Sequence, residues 1–406
     1  MLTNEWHQKS KRWGHPLHSM CSYMGMFPPR LPHYFIQKFT RRGDVVLDPF
    51  CGRGTTPLQA CVEGRIGIGV DPNPLAYALT LAKVKPPDPA ALRNRIDDLS
   101  NDMFFGDVGD QPSAVRLLFH DHTLSQLVFL KQTLDRSDRT DAFILGVLLG
   151  MLHGGTQGSG AKTRVRRRSD TATFLSIPMP NTFSTSENHI EKYVREKKLQ
   201  APRLDVFASL RLRVERLLRL GLPKTEGRIW NARIQELREL PDPALKRKRI
   251  QLIFSSPPCL KTLRHGLYKW IRLWLLDENP DDLDNRLDQH PKLDDYLDFM
   301  LEACRMLYRV TAPGGVCALV IADVQKGKQE PIRLAEEVWK HLKRKQTRWK
   351  LAEILEDPVP ARAGAARIQG EEKGGRVALA DRVALADRIL VMYKDTYKEL
   401  VDHVAW

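Results

Sequence analysis

Asp44 to Pro74 reads DVVLDPFCGRGTTPLQACVEGRIGIGVDPNP, and the fold is decided there. Val45, Val46 and Leu47 form a short apolar run that stops at Asp48, the pattern of a strand buried on both faces of a parallel sheet. Pro49-Phe50-Cys51-Gly52-Arg53-Gly54-Thr55-Thr56 follows. Its two glycines let the backbone turn tightly and approach a ligand, and its threonine pair is suited to capping a helix predicted from Pro57 to Glu63. A second strand, Ile66 to Val70, ends on Asp71. Strand, glycine turn, helix and strand with a terminal acid compose one half of a nucleotide-binding unit, the acid being placed to accept hydrogen bonds from ribose hydroxyls. The three-glycine dinucleotide signature is absent, so on its own Gly-x-Gly also reads as a purely structural turn.

A second anchor lies two hundred residues on. Leu252-Ile253-Phe254 is another apolar run, and it leads into Ser255-Ser256-Pro257-Pro258-Cys259. An amphipathic helix from Tyr296 to Val310, the turn Ala312-Pro313-Gly314-Gly315 and a strand from Val316 to Ile321 come next. Arg388 to Met392 reads as a closing strand.

The string DPFCGRGTT resembles the S-adenosylmethionine-binding motif of the amino-methylating DNA methyltransferases, which methylate cytosine N4 or adenine N6. That motif usually reads DPF, a small residue, then GSGTT. The resemblance implies that Asp48, Pro49, Phe50, Gly52, Gly54 and Thr55 line the methionine end of the cofactor and that Asp71 holds its ribose. HSMCSYMGMFPP, from His18 to Pro29, is similar to the cofactor segment HSxHPYPAKFPP that precedes the glycine turn in this family. His18, Ser19, Tyr23, Phe27, Pro28 and Pro29 match, while Met24 and Met26 replace the usual proline and lysine. Tyr23, Phe27 and Pro28 are thereby implied as cofactor contacts. Pro28, Pro29 and Pro32 also open an apolar helix of Leu31, Tyr34, Phe35 and Phe39, because proline is tolerated in a first helical turn. In the family an acid commonly ends the third strand and touches the adenine; here that strand reads Ile229-Trp230-Asn231-Ala232, and Asn231 supplies an amide instead. The fold implied is α/β, a Rossmann-like methyltransferase sheet with helices on both faces and a mainly helical insertion.

Ser255 to Cys259 resembles the catalytic motif of the same enzymes: Ser, Asp or Asn, two prolines and an aromatic. An exocyclic amine is a poor nucleophile because its lone pair is delocalised into the ring. Hydrogen bonds from its hydrogens to the Ser256 hydroxyl and to the carbonyl before Pro258 would favour a pyramidal nitrogen able to attack a sulfonium methyl directly, so positioning and electrostatics provide most of the catalysis. The base must leave the duplex, and the aromatic after the prolines usually stacks on it. Cys259 stands in that place and cannot stack; Tyr268 is the candidate substitute, whereas Trp270 and Trp274, four apart on one helix face, read as core. A serine before the prolines is more usual for cytosine N4 and an acid for adenine, which makes adenine N6 the alternative target. Cytosine C5 methyltransferases, with a Pro-Cys nucleophile at a similar strand end, are a third reading. Those enzymes read PPCQ with an ENV segment and a paired arginine motif downstream, whereas Leu260 follows Cys259 here and neither later motif occurs. A catalytically impaired DNA-binding relative is the fourth, and an RNA methyltransferase would carry an appended RNA module that is not found.

The remaining chain is read from its composition. With 406 residues it can bury a large core, and its net charge of +15 favours a polyanionic partner, double-stranded DNA by the resemblance. Six scattered cysteines without a CxxC pair argue against a disulfide framework and a structural zinc, so no metal is expected. The absence of a signal peptide or long apolar run suggests a cytoplasmic protein, associated with the nucleoid and with no membrane contact, and a cognate restriction endonuclease is a conceivable partner. Residues 1 to 17 read as an irregular arm, and with it residues 1–84 form the cofactor-binding half. Residues 85–226, entered through Lys85-Pro86-Pro87-Asp88-Pro89, read as a mainly helical insertion for DNA recognition, and 227–406 as the catalytic half. Within the insertion, glycine-rich chain between His153 and Asp170 carries Lys162, Arg164, Arg166, Arg167 and Arg168, a cationic loop suited to phosphate contacts. The repeated RVALAD at 376–387 reads as a lengthened loop without assigned function.

Overall fold

Seven strands make one sheet in the order β3-β2-β1-β4-β5-β7-β6: β1 (Val45–Asp48), β2 (Ile66–Val70), β3 (Arg228–Trp230), β4 (Ile250–Ser255), β5 (Thr311–Ala322), β6 (Lys350–Asp357) and β7 (Asp387–Tyr393). The first five run parallel; β7 is antiparallel to both β5 and β6. The structure, a computed structural model, describes residues 2, 5–8, 13–23, 26–104, 106–153, 174–177, 187–258, 260, 265–287, 290, 292–324, 330–357, 372–373, 376–377 and 387–397. From β1 the chain steps outward through β2 and β3, then returns to the other side of β1 with β4 and β5. That reversal leaves a crevice at the carboxyl ends of β1 and β4, where open α/β sheets bind their ligands.

The sheet is covered on both faces because its strands alternate. Along β5, Cys317, Leu319 and Ile321 enter one apolar cluster and Val316, Ala318 and Val320 another. The first cluster is closed by α13 (Leu293–Val310) and α14 (Leu334–Arg344), the second by α1 (Arg30–Phe39). α2 (Thr55–Val62) and α3 (Pro74–Val84) follow β1 and β2. Over α3 lies a further layer, α4 (Pro89–Asn101), α6 (Asp121–Thr133), α7 (Arg139–Met151) and α9 (Val206–Leu218), with α5 (Ser113–Leu118) and α8 (Glu187–Lys197) at its border. Its buried Leu127, Phe143, Leu148 and Leu210 join Leu75 and Leu79 of α3 in one core. After β4 come α11 (His265–Leu275), which packs into that core, and α12 (Pro280–Arg286). A four-residue α10 (Pro243–Lys246) precedes β4.

Four expectations are corrected. Thr55 and Thr56 do not cap α2: Gly54 is the N-cap, in the left-handed region at φ 75°, so the helix starts two residues early and both threonines are buried in its first turn. The amino-terminal arm is not irregular throughout. Trp6, in a short 3-10 turn (Glu5–Gln8), is fully buried edge-on to Tyr34 and donates from its indole to Asp357 at the end of β6, 3.1 Å away. The third strand is Arg228–Trp230, so Asn231 lies just past its end. Pro313-Gly314-Gly315 does not precede β5 but lies inside it as a bulge, with Ile250 opposite Thr311 and Leu252 opposite Val316. Edge strand β6 and helix α14 were not anticipated. In KLAEILED charges interrupt the alternation, as suits an exposed edge. Among the described residues no helix is long and apolar enough to cross a membrane, and no group of His, Cys, Asp and Glu side chains could hold a metal ion.

Candidate active site

The site is built at the ends of β1, β2 and β4. Asp48 closes β1 and is 1% exposed. Its Oδ1 accepts a hydrogen bond from the hydroxyl of Ser255, the last residue of the neighbouring β4, at 2.5 Å, and another from the Phe50 amide at 3.3 Å. Burial pushes the Asp48 carboxyl up to about 7, with the Ser255 hydrogen bond pulling the other way. Cofactor turn and catalytic strand are thus tied directly, carboxylate to hydroxyl, across adjacent parallel strands.

The glycine turn needs its glycines. Gly52 and Gly54 both have positive φ, 49° and 75°. A Cβ on Gly54 would sit 2.5 Å from the Thr80 hydroxyl, and that hydroxyl donates to the Gly52 carbonyl at 3.2 Å. Asp71, half-buried just beyond β2, accepts from the Gly52 amide at 2.8 Å and from the Asn73 amide at 2.9 Å. Its carboxyl is raised by burial, against these two amides. The exposed Asn231 donates from its side-chain amide to the Asp71 carbonyl at 2.9 Å, and the Asp71 amide donates to the Trp230 carbonyl.

Tyr23 forms the wall facing this turn. Its ring would lie 3.3 Å from a Cβ on Gly52, and its hydroxyl accepts from the Asn73 side chain at 3.2 Å. Phe27 stands edge-on to Phe254 of β4, with 5.2 Å between centroids, and the Pro28 carbonyl accepts from the Leu31 amide as α1 begins. Phe50, half-buried, lies against Phe299 of α13; Pro49 and Thr55 are buried. On the catalytic side the Ser256 hydroxyl donates to the Val320 carbonyl of β5 at 3.0 Å; Pro257 is buried and Pro258 half-buried. The structure therefore brings Tyr23, Gly52, Asp71 and Asn231 together, and Asp48 with Ser255. Cys259 and the cations Lys162, Arg164, Arg166, Arg167 and Arg168 lie outside the described residues. The Tyr268 side chain does too, although its backbone belongs to α11. Trp270 and Trp274 pack against the helical core, and Trp274 donates to Gln111 at 3.0 Å.

Two groups of cations escaped the reading of the sequence. Lys269 of α11, 3% exposed, donates to the Tyr23 hydroxyl at 2.8 Å and stands 4.0 Å from the centre of that ring. Burial lowers its ammonium to about 8, with the Asp71 charge opposing. Three residues along, Arg272 donates to the Leu149 and His153 carbonyls and to the Ser22 hydroxyl. Beneath the glycine turn the fully buried Lys83 donates to the Arg53 carbonyl at 2.6 Å, and Arg53 to the Cys21 carbonyl at 3.0 Å. Burial, and then Arg53, lower Lys83 to about 7. The signal for the first pair was in the sequence: Lys269 and Arg272, three apart, interrupt the apolar face of LYKWIRLWLL.

Residues 2–81 match the family described as DNA methylase, of the N6/N4 class. A Type II methyltransferase from Methanocaldococcus jannaschii, M.MjaII, is 33% identical over 85 residues, which is 21% of this chain and 16% of that protein. A second, M.BglI from Bacillus subtilis, is 41% identical over 59 residues, 14% of this chain and 17% of that protein. The matched stretches thus span about a sixth of the length of each curated relative. Among solved structures, the rRNA methyltransferase aviRa from Streptomyces viridochromogenes aligns over 96% of this chain and 94% of its own, with a TM-score of 0.34 and 12% identity. Residues 2–81 contain both the cofactor segment before α1 and the glycine turn, and by them the chain is a relative of the amino-methylating DNA methyltransferases.

Proposed function

We propose that the chain is a site-specific DNA methyltransferase that moves a methyl group from S-adenosylmethionine to the exocyclic amine of a base turned out of the duplex, with cytosine N4 the favoured target. The residues fit that cofactor. The positive φ at Gly52 and Gly54 leaves the turn open to close approach, Asp71 stands beyond β2 for ribose hydroxyls, and the Asn231 amide is beside it. When bound, the cofactor supplies an electrophilic methyl on sulfur. The chain's own part is to hold the amine in line. The single observation that carries the reading is the Ser256 hydroxyl, whose hydrogen is committed to Val320 while its lone pairs stay available to accept from an amine N–H. The rigid Pro257-Pro258 pair keeps the adjoining carbonyl in place as the second acceptor. As the N–C bond forms the sulfonium becomes a thioether, and the nitrogen sheds a proton to solvent.

The helices between residues 85 and 226, with the cations Lys162 to Arg168, are the proposed recognition part for double-stranded DNA. A restriction endonuclease of the same site is a proposed partner, and the cytoplasm the proposed setting. Mass spectrometry of nucleosides from DNA treated with the protein and labelled cofactor tests the assignment. N4-methylcytosine is expected, and N6-methyladenine would move the target to the alternative. Cys259→Ser should keep most activity; 5-methylcytosine as product, lost in that variant, would overturn direct amine methylation.

A further inference from the structure

We propose that Lys269 is the group that receives the α-carboxylate of the cofactor. The inference rests on the cofactor reading above and adds a residue to it. S-adenosylmethionine carries one anionic group, the carboxylate of its amino-acid end, beside an ammonium and a sulfonium. The two acids of the site can accept from the ammonium or from ribose hydroxyls, but an ionised carboxylate only accepts and needs donors of opposite charge. Arg53 and Lys83 are engaged beneath the glycine turn with backbone carbonyls. Lys269 approaches from the other side. It reaches the Tyr23 hydroxyl, the Tyr23 ring lies against Gly52, and Asp71 acts on its charge. Its ammonium is therefore one aromatic ring away from the turn that the amino-acid end must approach.

Burial makes the assignment stronger. A lysine only 3% exposed has lost its hydration, and a cation–ring contact with a single neutral hydroxyl returns a small part of that cost. A carboxylate returns more. Position in the chain also fits: α11 begins a few residues after the Ser256-Pro257-Pro258 segment, so one stretch of chain would grip the methyl donor while its start grips the acceptor.

Calorimetric titration with S-adenosylmethionine and with its decarboxylated form, which differ only in the carboxylate, tests this. Wild type should prefer the first. Lys269→Met should weaken S-adenosylmethionine roughly ten- to a hundredfold and leave the decarboxylated form unchanged, erasing the preference. Lys269→Arg should restore much of it, and Tyr23→Phe, which removes the hydroxyl but not the cation, should keep it. An equal loss for both ligands in Lys269→Met overturns the proposal, because the lysine then only holds Tyr23; so does an intact preference. Should Lys269→Met fail to fold, a preference abolished in Tyr23→Phe overturns it and one retained supports it. Wild type that binds neither ligand overturns the cofactor reading, and this proposal falls with it.

Discussion

At the ends of β1 and β2 the polar groups are already committed to the chain: Asp71 accepts from two backbone amides, Asp48 from Ser255 and Phe50, and the glycine turn is held by Thr80. At the end of β4 the commitment is of the opposite kind, since the Ser256 hydroxyl gives its hydrogen away to Val320 and keeps its acceptor capacity. The first region is shaped by bonds that fix backbone, so damage there should appear in binding and stability. The second keeps a lone pair in reserve, so damage there should appear in the rate alone.

Ser256→Ala breaks or sharpens this contrast most. Removing one preorganised contact to a reacting group typically costs about 10²–10³ in kcat, and that loss is expected in a methylation assay, with cofactor affinity by calorimetry unchanged. A variant that loses cofactor affinity as well would make the two ends one unit. Gly54→Ala is next. A Cβ there would stand 2.5 Å from the Thr80 hydroxyl on a backbone at φ 75°, and strained positions of this kind cost about 1–3 kcal/mol. A thermal transition lowered by several degrees and a weakened cofactor Kd are expected; an unchanged transition would show that the turn has room. Asp71→Ala should follow, with about tenfold weaker cofactor binding and little change in kcat at saturation. Undiminished affinity in a folded variant would remove Asp71 from the ribose.

How far the sequence revealed these two regions depends on how local their causes are. Val45–Asp48, the glycine turn, Ile66–Val70 and Ile250–Ser255 were readable because a buried parallel strand announces itself as an apolar run and its turn as glycine or proline. What escaped depends on partners distant in the chain. Trp6 is buried by α1 and by a strand about 350 residues away, so its neighbourhood in sequence looks like an irregular arm. The α2 boundary was misread because Gly54 adopts the left-handed cap conformation and leaves the threonines inside the helix. Edge strand β6 shows too little alternation to separate it from a charged loop. Lys269 belongs to the site only because α11 folds back onto Tyr23, 246 residues upstream.

The smallest expected effect is a pH dependence at the joint between the two regions. Folding raises the Asp48 carboxyl from an ordinary 3.8 to about 7, so the folded chain holds that proton more tightly than the unfolded chain. Its contribution to stability is therefore complete below about pH 4 and is lost as pH rises through about 7, where the fold must bury an ionised carboxylate. Asp48→Asn keeps an oxygen to accept from Ser255 and Phe50 but cannot ionise. Its thermal transition, measured beside wild type from pH 4.5 to 8.5, should gain on wild type by a few degrees as pH rises, with most of the gain between pH 5 and 8. Asp71 and the histidines titrate in both proteins and cancel in the difference. If the gap stays constant, the Ser255 hydrogen bond keeps Asp48 ionised throughout, and the tie between β1 and β4 is then a charged one, stiffer than the neutral contact inferred from its burial.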